Sequence, residues 1–375
     1  VVMSIFAGAL SDRWNKKLTM LVCDLLAAAS TVAVLALIRA GSLIAWHLYI
    51  LNALNGLMNT IQQPASEVAA TILIPKEYYQ KTSGLRSFSQ SLNSILTPIL
   101  ATALFAFGGI DTVIAFDLVT FAIAFAVLLL LIKIPEDMGS KQARERLFDS
   151  AKQGLAWLRK NPLILTLILY LACINLVASV YDAALPAMIL SKPNGGETVL
   201  GIINTAVGLA TLAGSVIVTF LPTPKNRVKV ISLTLLLSMS SENFLLAFGK
   251  TPFVWCIGAV LGWIAIPLMN ANLDVIYRSS IPLEMQGRVY SCRNTLQFFT
   301  IPIGFLLGGA LVDKVFEPLM AAQPAGSPLV SIFGETKGAG AAMLFAIIGV
   351  AGVIVCLIFN LILRKYKWSE SDTLQ

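Results

Sequence analysis

Apolar stretches about as long as a bilayer is thick recur along the whole chain. Of its 375 residues, 57% are hydrophobic and 13% are charged, whereas soluble domains carry roughly 25% charge. A helix of about 20 apolar residues crosses the hydrocarbon core, where every backbone N–H and C=O must be bonded within the chain. The sequence therefore predicts an all-α polytopic membrane protein and excludes an ordinary cytosolic enzyme.

Short polar breaks divide the chain into ten complete predicted spans. They cover residues 18–38, 46–73, 85–107, 111–132, 163–189, 198–221, 230–248, 253–276, 291–312 and 340–363. Before them, the apolar segment 1–10 is too short to cross a bilayer by itself. The chain begins with Val1 rather than Met, so we expect a protein that is truncated at its N-terminus.

Basic residues are distributed unevenly between the loops on the two sides of the membrane. One set of alternate loops holds 22 of the 27 Lys and Arg residues. The remaining five are Arg39, Lys192, Lys250, Lys314 and Lys337. Since positively charged loops stay in the cytoplasm, the loop at 11–17 and the C-terminal tail are predicted to be cytoplasmic. The net charge of +7 thus reflects topology, and we expect no nucleic-acid partner.

Residues that carry metal or nucleophile chemistry are scarce. The five cysteines lie in or beside apolar segments without CxxC spacing, and His47 is the single histidine. These cysteines are typical of small hydrophobic core residues. A zinc site or a histidine-rich catalytic set is therefore excluded, and a phosphate-binding GxxxxGK[ST] loop is absent from the sequence. We expect no metal, no cofactor and no enzymatic activity.

The longest cytoplasmic connection, 133–162, divides the chain into two similar halves. Leu147, Ala151, Leu155 and Leu158 recur within it at helical spacing, which predicts an amphipathic helix along the inner membrane surface. The predicted domains are therefore an N-terminal half, a linker and a C-terminal half with its tail. Their ranges are 1–132, 133–162 and 163–375.

An internal repeat favours the same division. Ile74-Pro75-Lys76-Glu77 is echoed by Ile281-Pro282-Leu283-Glu284, and a span with a mid-helix proline follows each copy, at Pro98 and at Pro302. Parallel repeats of this size, related by an axis along the membrane normal, are an architecture of transporters. The long external segment 313–338 contains three prolines and is predicted to be an irregular loop.

The first charged loop carries a motif. It reads Gly8-Ala9-Leu10-Ser11-Asp12-Arg13-Trp14-Asn15-Lys16-Lys17 and resembles the Gly-x-x-x-Asp-Arg-x-Gly-basic-basic signature of the major facilitator superfamily, departing from it at Asn15. The glycine lets helices approach closely, the aspartate can face a helix N-terminus, and the basic residues hold the loop at the inner leaflet. The resemblance implies a gating role for Gly8, Asp12, Arg13, Lys16 and Lys17.

Further stretches resemble the macrolide-efflux branch of the drug:proton antiporters. They are Gln63-Pro64-Ala65, Ile74 to Glu77, Gly84-Leu85-Arg86, Gly287-Arg288-Val289 and Val315 to Leu319. The resemblance implies two six-helix halves related by pseudo-two-fold symmetry, with the first helix and most of the second missing here. It also implies efflux of a macrolide-like amphipathic solute across the cytoplasmic membrane, in exchange for protons, by a monomer. The fifth-helix antiporter motif is incomplete at Thr97-Pro98.

Polar side chains inside the spans mark candidate cavity faces. Asn52, Asn55, Asn59 and Gln62 recur every three or four residues and so share one face of a helix. Such groups are costly in hydrocarbon and usually face the bundle interior, although hydrogen bonding between helices is an alternative role. The predicted substrate-cavity residues are Asn52, Asn55, Asn59, Gln62, Gln90, Ser94, Gln297 and Trp263, with Arg293 and Thr300 on the same face as Gln297.

Acidic residues within the spans form two groups. Those near the inner ends are expected to pair with nearby arginines and hold a cytoplasmic gate closed. They are Asp12, Asp24, Glu67 and Asp274, with Arg13, Arg86 and Arg278 as expected partners. Asp117, Asp182 and Glu242 lie deeper, without a basic neighbour in sequence. They are the predicted proton-coupling candidates, because a partly buried carboxylate can exchange protons as a cavity alternates between faces.

Two other functions fit the same residues. A transporter of the same fold could carry a siderophore or a lysophospholipid, and a lipid substrate predicts a lateral opening lined by apolar side chains. A non-transporting membrane scaffold or receptor would also agree with the incomplete antiporter motif.

Overall fold

The computed structural model describes residues 15–135, 147–324 and 326–366. Within these ranges the regular secondary structure is helical throughout, which confirms the all-α prediction. Eight of the described helical segments are long and apolar enough to cross a membrane. The protein is therefore a multi-pass membrane protein. Of the predicted loop motif, Gly8, Asp12 and Arg13 lie outside the described residues.

Three long helices form the described part of the N-terminal half. They are α1 (Lys16–Arg39), α2 (Ala45–Leu73) and α3 (Tyr79–Ala126), which a π-helical turn, Val127–Leu131, continues. Asn15, where the resemblance expects glycine, caps α1 by accepting a hydrogen bond from the Leu18 N–H. α3 is interrupted at Gly108 and Gly109, and Gly109 has a φ of 67°, which favours glycine. This break separates the predicted spans 85–107 and 111–132.

A linker helix and ten further α-helices follow. They are α4 (Leu147–Lys160), α5 (Pro162–Ser191), α6 (Glu197–Phe220), α7 (Arg227–Phe248), α8 (Pro252–Trp263), α9 (Ile266–Ser280), α10 (Leu283–Phe298), α11 (Thr300–Leu311), α12 (Glu317–Ala321), α13 (Pro328–Phe333) and α14 (Ala339–Leu363). A π-helical turn, Val312–Phe316, joins α11 to α12. The predicted span 253–276 is broken after Trp263, so that α8 and α9 are separate helices.

The prediction of an irregular loop at 313–338 is wrong for much of that segment. It contains most of the π-helical turn as well as α12 and α13. The prolines of this segment indicated a loop, but Pro318 and Pro328 lie in the first turns of these helices. A first-turn proline costs little, since its missing N–H would have no partner within the helix.

The chain packs into two compact units. Of the described residues, the first unit contains those up to Lys76, those within Leu96–Asn161 and those of Ile281–Thr295, and the second contains Glu77–Ile95, Pro162–Ser280 and the described residues from Leu296 onward. Each unit thus includes a short segment from the other half of the sequence, and each of these segments starts at a copy of the Ile-Pro-x-Glu repeat. The division into 1–132, 133–162 and 163–375 stays a prediction.

Small residues let helices of the second unit pack closely. α5 packs against α11 and α14, and α7 packs against α8 and α14. A Cβ added at Gly304 of α11 would lie 2.6 Å from Ser179 Cβ, and one at Gly308 would lie 2.9 Å from the Val180 carbonyl oxygen. These approaches are closer than any larger residue permits, as expected of small-xxx-small helix faces.

The linker helix α4 packs against α10 within the first unit. Leu158 is fully buried, and the Arg288 side chain bonds to Gln153. Gly154 faces α10, where an added Cβ would lie 2.8 Å from the Arg288 carbonyl oxygen and 2.9 Å from Cys292 Sγ. A helix lies at the predicted position and its buried face contacts protein, while its placement along the inner membrane surface stays a prediction.

Gly154→Ala should destabilise the first unit by about 1–3 kcal/mol, the usual cost of overpacking. The added methyl group meets backbone rather than a movable side-chain end, so α4 must shift. Gly201→Ala is a matched control in helix α6, where an added Cβ has nothing within 4 Å, and it should be neutral or stabilising by up to about 1 kcal/mol. Thermal unfolding in detergent measures both. Equal unfolding temperatures for the two variants would contradict this close packing.

Candidate functional site

A buried acid, Glu242, lies where α7 meets α8 in the second unit. Its side chain is 4% exposed. Room for the carboxylate depends on α8 glycines, because a Cβ added at Gly262 would lie 2.7 Å from Glu242 Cβ and one at Gly258 would lie 3.4 Å from the Glu242 carbonyl oxygen. The indole Nε1–H of Trp263 donates a 2.8 Å hydrogen bond to Glu242 Oε1. The α7–α8 contact therefore holds one carboxyl group in a fixed orientation.

Helix α5 brings a phenol and a second acid to the same place. The Tyr181 hydroxyl lies beside the Glu242 carboxylate, and Asp182 is close enough to interact with it electrostatically. Tyr181 is buried against Phe345, with ring centroids 5.3 Å apart, whereas Asp182 is exposed. Two of the three predicted coupling candidates thus lie together, one buried and one accessible.

The third coupling candidate, Asp117, belongs to the first unit. It lies on α3, is exposed, and accepts a 3.2 Å hydrogen bond from the Thr31 hydroxyl of α1. Its surroundings therefore differ from those of Glu242, which is enclosed by α5, α7 and α8.

Glu67 forms a buried ion pair with Arg293, which was not among the arginines expected to pair with the inner-end acids. In the first unit, Arg293 Nη2 lies 3.0 Å from each Glu67 carboxylate oxygen, and both side chains are about nine-tenths buried. The guanidinium also bonds to Asn294 Oδ1 at 2.8 Å and lies 5.0 Å from the Tyr290 ring centroid. Sequence periodicity placed Arg293 on a cavity face, whereas the structure buries it in an ion pair between α2 and α10.

The other inner-end acids bond to neutral groups. Asp24 accepts a 2.7 Å hydrogen bond from Gln62 Nε2 in the first unit, and Asp274 accepts a 2.8 Å bond from the Ser83 hydroxyl in the second. Arg278, an expected partner, lies over the Tyr79 ring at 5.6 Å from its centroid. Asp12 and Arg13, another of the expected partners, lie outside the described residues.

One basic residue of the loop motif has a defined contact. Lys17 Nζ donates to the carbonyl oxygens of Leu129 and Ile132, at 2.8 and 2.9 Å. Leu129 lies within the π-helical turn after α3 and Ile132 directly follows that turn, at a helix C-terminus, which attracts cations. The start of α1 is thereby tied to the end of α3 within the first unit.

The predicted cavity residues have different surroundings. Asn52, Asn59 and Gln90 are exposed, and Gln62 and Trp263 bond to acids as described above. Asn175 Nδ2 donates to the Gln297 carbonyl oxygen at 3.0 Å. Asn55 is partly exposed, and the Ser94 side chain lies outside what the structure describes. On α2, the amides of Asn52 and Asn59 are exposed. Gln62 and Trp263 instead donate hydrogen bonds to the carboxylates of Asp24 and Glu242.

Comparison with known proteins identifies the family. Residues 1–192 match the family model of the Major Facilitator Superfamily. The chain belongs to this superfamily. The family predicted from the loop motif and the repeat is therefore confirmed, and so is the all-α major facilitator fold.

Known transport proteins resemble most of the chain. Macrolide efflux protein A from Streptococcus pyogenes is 23% identical over 312 residues, which make up 82% of this chain and 76% of that protein. The enterobactin exporter EntS from Citrobacter koseri is 24% identical over 334 residues, or 87% and 76% of the two chains. The human organic anion transporter MFSD10 superposes with a TM-score of 0.65 at 14% identity, over 94% of this chain and 80% of that one.

The chain is therefore a transporter of the Major Facilitator Superfamily. Within that superfamily, it resembles the macrolide-efflux branch. Members bind small-molecule substrates and are not, in general, enzymes.

Proposed function

We propose that the protein exports a macrolide-like amphipathic solute across the cytoplasmic membrane in exchange for protons, by alternating access. Proton coupling is proposed because of Glu242, whose carboxyl group is buried within a membrane-spanning bundle. The described neighbours of Glu242 are an indole, a phenol and a second acid. An ionisable group at such a position is costly and is a functional site by default. Similarity to macrolide efflux protein A supports the class of solute.

In this proposal, Asp182 and Glu242 divide the work of proton transfer. The exposed Asp182 exchanges protons with water. Glu242 binds and releases the proton that is exchanged for solute in each transport cycle. The Trp263 indole fixes the Glu242 carboxyl group and offers an aromatic surface to the solute. Asn52, Asn59 and Gln90 contribute polar contacts, because their exposed amides can donate and accept hydrogen bonds.

Cytoplasmic gating is assigned to the loop motif and to the Glu67–Arg293 pair. Lys17 supports this role through its bonds to the end of the turn after α3. The uneven loop charge supports a cytoplasmic C-terminus and residence in the cytoplasmic membrane. We further propose that the transporter acts as a monomer.

Inverted membrane vesicles containing the protein should accumulate a radiolabelled macrolide when a pH gradient, acidic inside, is imposed. Export from the cell corresponds to uptake into such vesicles, and proton exit would drive it. A protonophore should abolish the accumulation, and vesicles without the protein are the control. Accumulation that persists in the presence of protonophore would contradict proton coupling.

Siderophore export is the second candidate, because the chain resembles the enterobactin exporter EntS. The same vesicles distinguish the two solutes when enterobactin replaces the macrolide. Gradient-dependent accumulation of enterobactin without accumulation of the macrolide would favour this second function.

A further inference from the structure

A cavity of about 270 Å³ lies in the second unit, where the ends of α5 and α7 meet α13 and the loop that follows it. Its charged lining residues are two lysines, Lys192 and Lys250. Neither Glu242 nor Trp263 is among the residues that line it. The cavity is therefore distinct from the proposed coupling site.

Cations at this place are unexpected from topology. Lys192 and Lys250 belong to the small set of basic residues in loops that the charge asymmetry predicts to be external. External loops of membrane proteins usually carry few lysines and arginines. Two of these five residues nevertheless line one cavity, so positive charge is concentrated there.

No carboxylate is among the described residues that line the cavity. Glu317 interacts electrostatically with Lys192, but its oxygens accept hydrogen bonds from the Gly338 and Ala341 N–H groups at the start of α14, both at 3.1 Å. Glu335 is exposed and does not line the cavity. Burial lowers the pKa of Lys192, Glu317 opposes this effect, and Lys250 adds to it. A bound anion would relieve the repulsion between the two ammonium groups.

Apolar side chains form part of the wall and are themselves exposed. Phe248 is 51% exposed and Ile332 is 45% exposed, and both line the cavity. The Phe248 ring stacks on Phe333 with centroids 5.9 Å apart, and Lys192 Nζ donates to the Phe333 carbonyl oxygen at 3.4 Å. Positive charge and exposed apolar surface therefore adjoin each other at one opening.

We propose that this cavity binds the anionic group of an amphipathic ligand. A phosphate or carboxylate would lie between Lys192 and Lys250, and the apolar part of the ligand would lie against Phe248 and Ile332. A volume of 270 Å³ accommodates a head group rather than a whole lipid, and lysine ammonium groups form charge-assisted hydrogen bonds with phosphate and carboxylate oxygens. An anionic phospholipid and a small soluble phosphate ester share this chemistry. The site stands whatever solute the protein transports.

The test measures binding of fluorescent phosphatidylglycerol to the purified protein in detergent by anisotropy. Lys192→Gln/Lys250→Gln should weaken binding by roughly tenfold or more, because charge-assisted contacts are lost. Lys314→Gln/Lys337→Gln is the matched control, since it removes two exposed lysines that do not line the cavity. Fluorescent phosphatidylcholine should bind weakly to every variant. Lys192→Arg/Lys250→Arg keeps both charges and should bind phosphatidylglycerol like the wild type. The comparison of the two lipids on the wild type needs no variant, so the proposal can still be overturned if the glutamine variant fails to fold.

Competition by unlabelled glycerol 3-phosphate distinguishes the two sources of ligand. Displacement of the labelled lipid would indicate that the phosphate group alone suffices, and no displacement would indicate that the acyl chains are required. Unchanged phosphatidylglycerol binding by the Lys192→Gln/Lys250→Gln variant would overturn the proposal. An equal loss in the control variant, or wild-type binding of phosphatidylcholine as tight as that of phosphatidylglycerol, would overturn it as well.

Discussion

Glu242→Gln should abolish macrolide accumulation driven by a pH gradient and preserve exchange of labelled for unlabelled macrolide at equal pH. The amide has nearly the shape of the carboxyl group, and its oxygen can still accept the Trp263 hydrogen bond observed at 2.8 Å. It cannot bind and release a proton. Gradient-driven uptake should therefore fall to the level of vesicles without the protein, whereas solute exchange, which needs no net proton movement, continues.

Two further variants test whether the loss of gradient-driven uptake is specific to Glu242. Asp182→Asn should slow gradient-driven uptake without abolishing it, because an exposed acid that relays protons can be replaced by water. Asp111→Asn is the matched control, since Asp111 forms an exposed ion pair with Arg39 on the first unit and should leave uptake unchanged. Gradient-driven uptake by Glu242→Gln at the wild-type level would show that the coupling group lies elsewhere.

Glu67→Gln should lower the free energy of unfolding of the protein by about 3–5 kcal/mol, the usual cost of breaking a buried ion pair by removing one of its charges. Both partners are about nine-tenths buried, so the Arg293 guanidinium would lose a bidentate carboxylate partner without gaining water. The exposed pair provides the comparison. Asp111→Asn, which breaks the Arg39–Asp111 bond, should cost no more than about 1 kcal/mol. Thermal and denaturant unfolding in detergent measure both variants.

The double variant Glu67→Met/Arg293→Met checks the physical reason for this loss. Apolar side chains of similar size remove both charges together, so most of the lost stability should return. A double variant at least as unstable as Glu67→Gln would show that the pair stabilises through some contact other than its charges.

Features that depend on local composition could be predicted from the sequence. The ends of the predicted span at 46–73 agree with Ala45–Leu73 to within one residue, because a bilayer-length apolar run and its polar flanks specify a helix by themselves. The amphipathic linker helix followed from the spacing of Leu147, Leu155 and Leu158. Gly258 and Gly262 are four residues apart, a spacing that is typical of close helix contact, and the structure places both against Glu242.

Features that depend on which helices become neighbours could not be predicted. Glu67 and Arg293 are 226 residues apart, and periodicity assigns each to a face without naming the opposite helix. The same limit applies to Glu242 and Trp263, which were predicted separately as a coupling candidate and a cavity residue and are joined by a hydrogen bond. At 313–338, proline content indicated a loop because first-turn and loop prolines look alike in sequence.

Proton movement caused by the solute itself tests the central claim most directly. Proteoliposomes containing the protein and a pH-sensitive dye inside, at equal internal and external pH, should show a change in internal pH when an outward gradient of macrolide is imposed. The sign should be internal acidification, since solute leaving is exchanged for protons entering, and Glu242→Gln should show none. Macrolide efflux without any change in internal pH would contradict proton exchange.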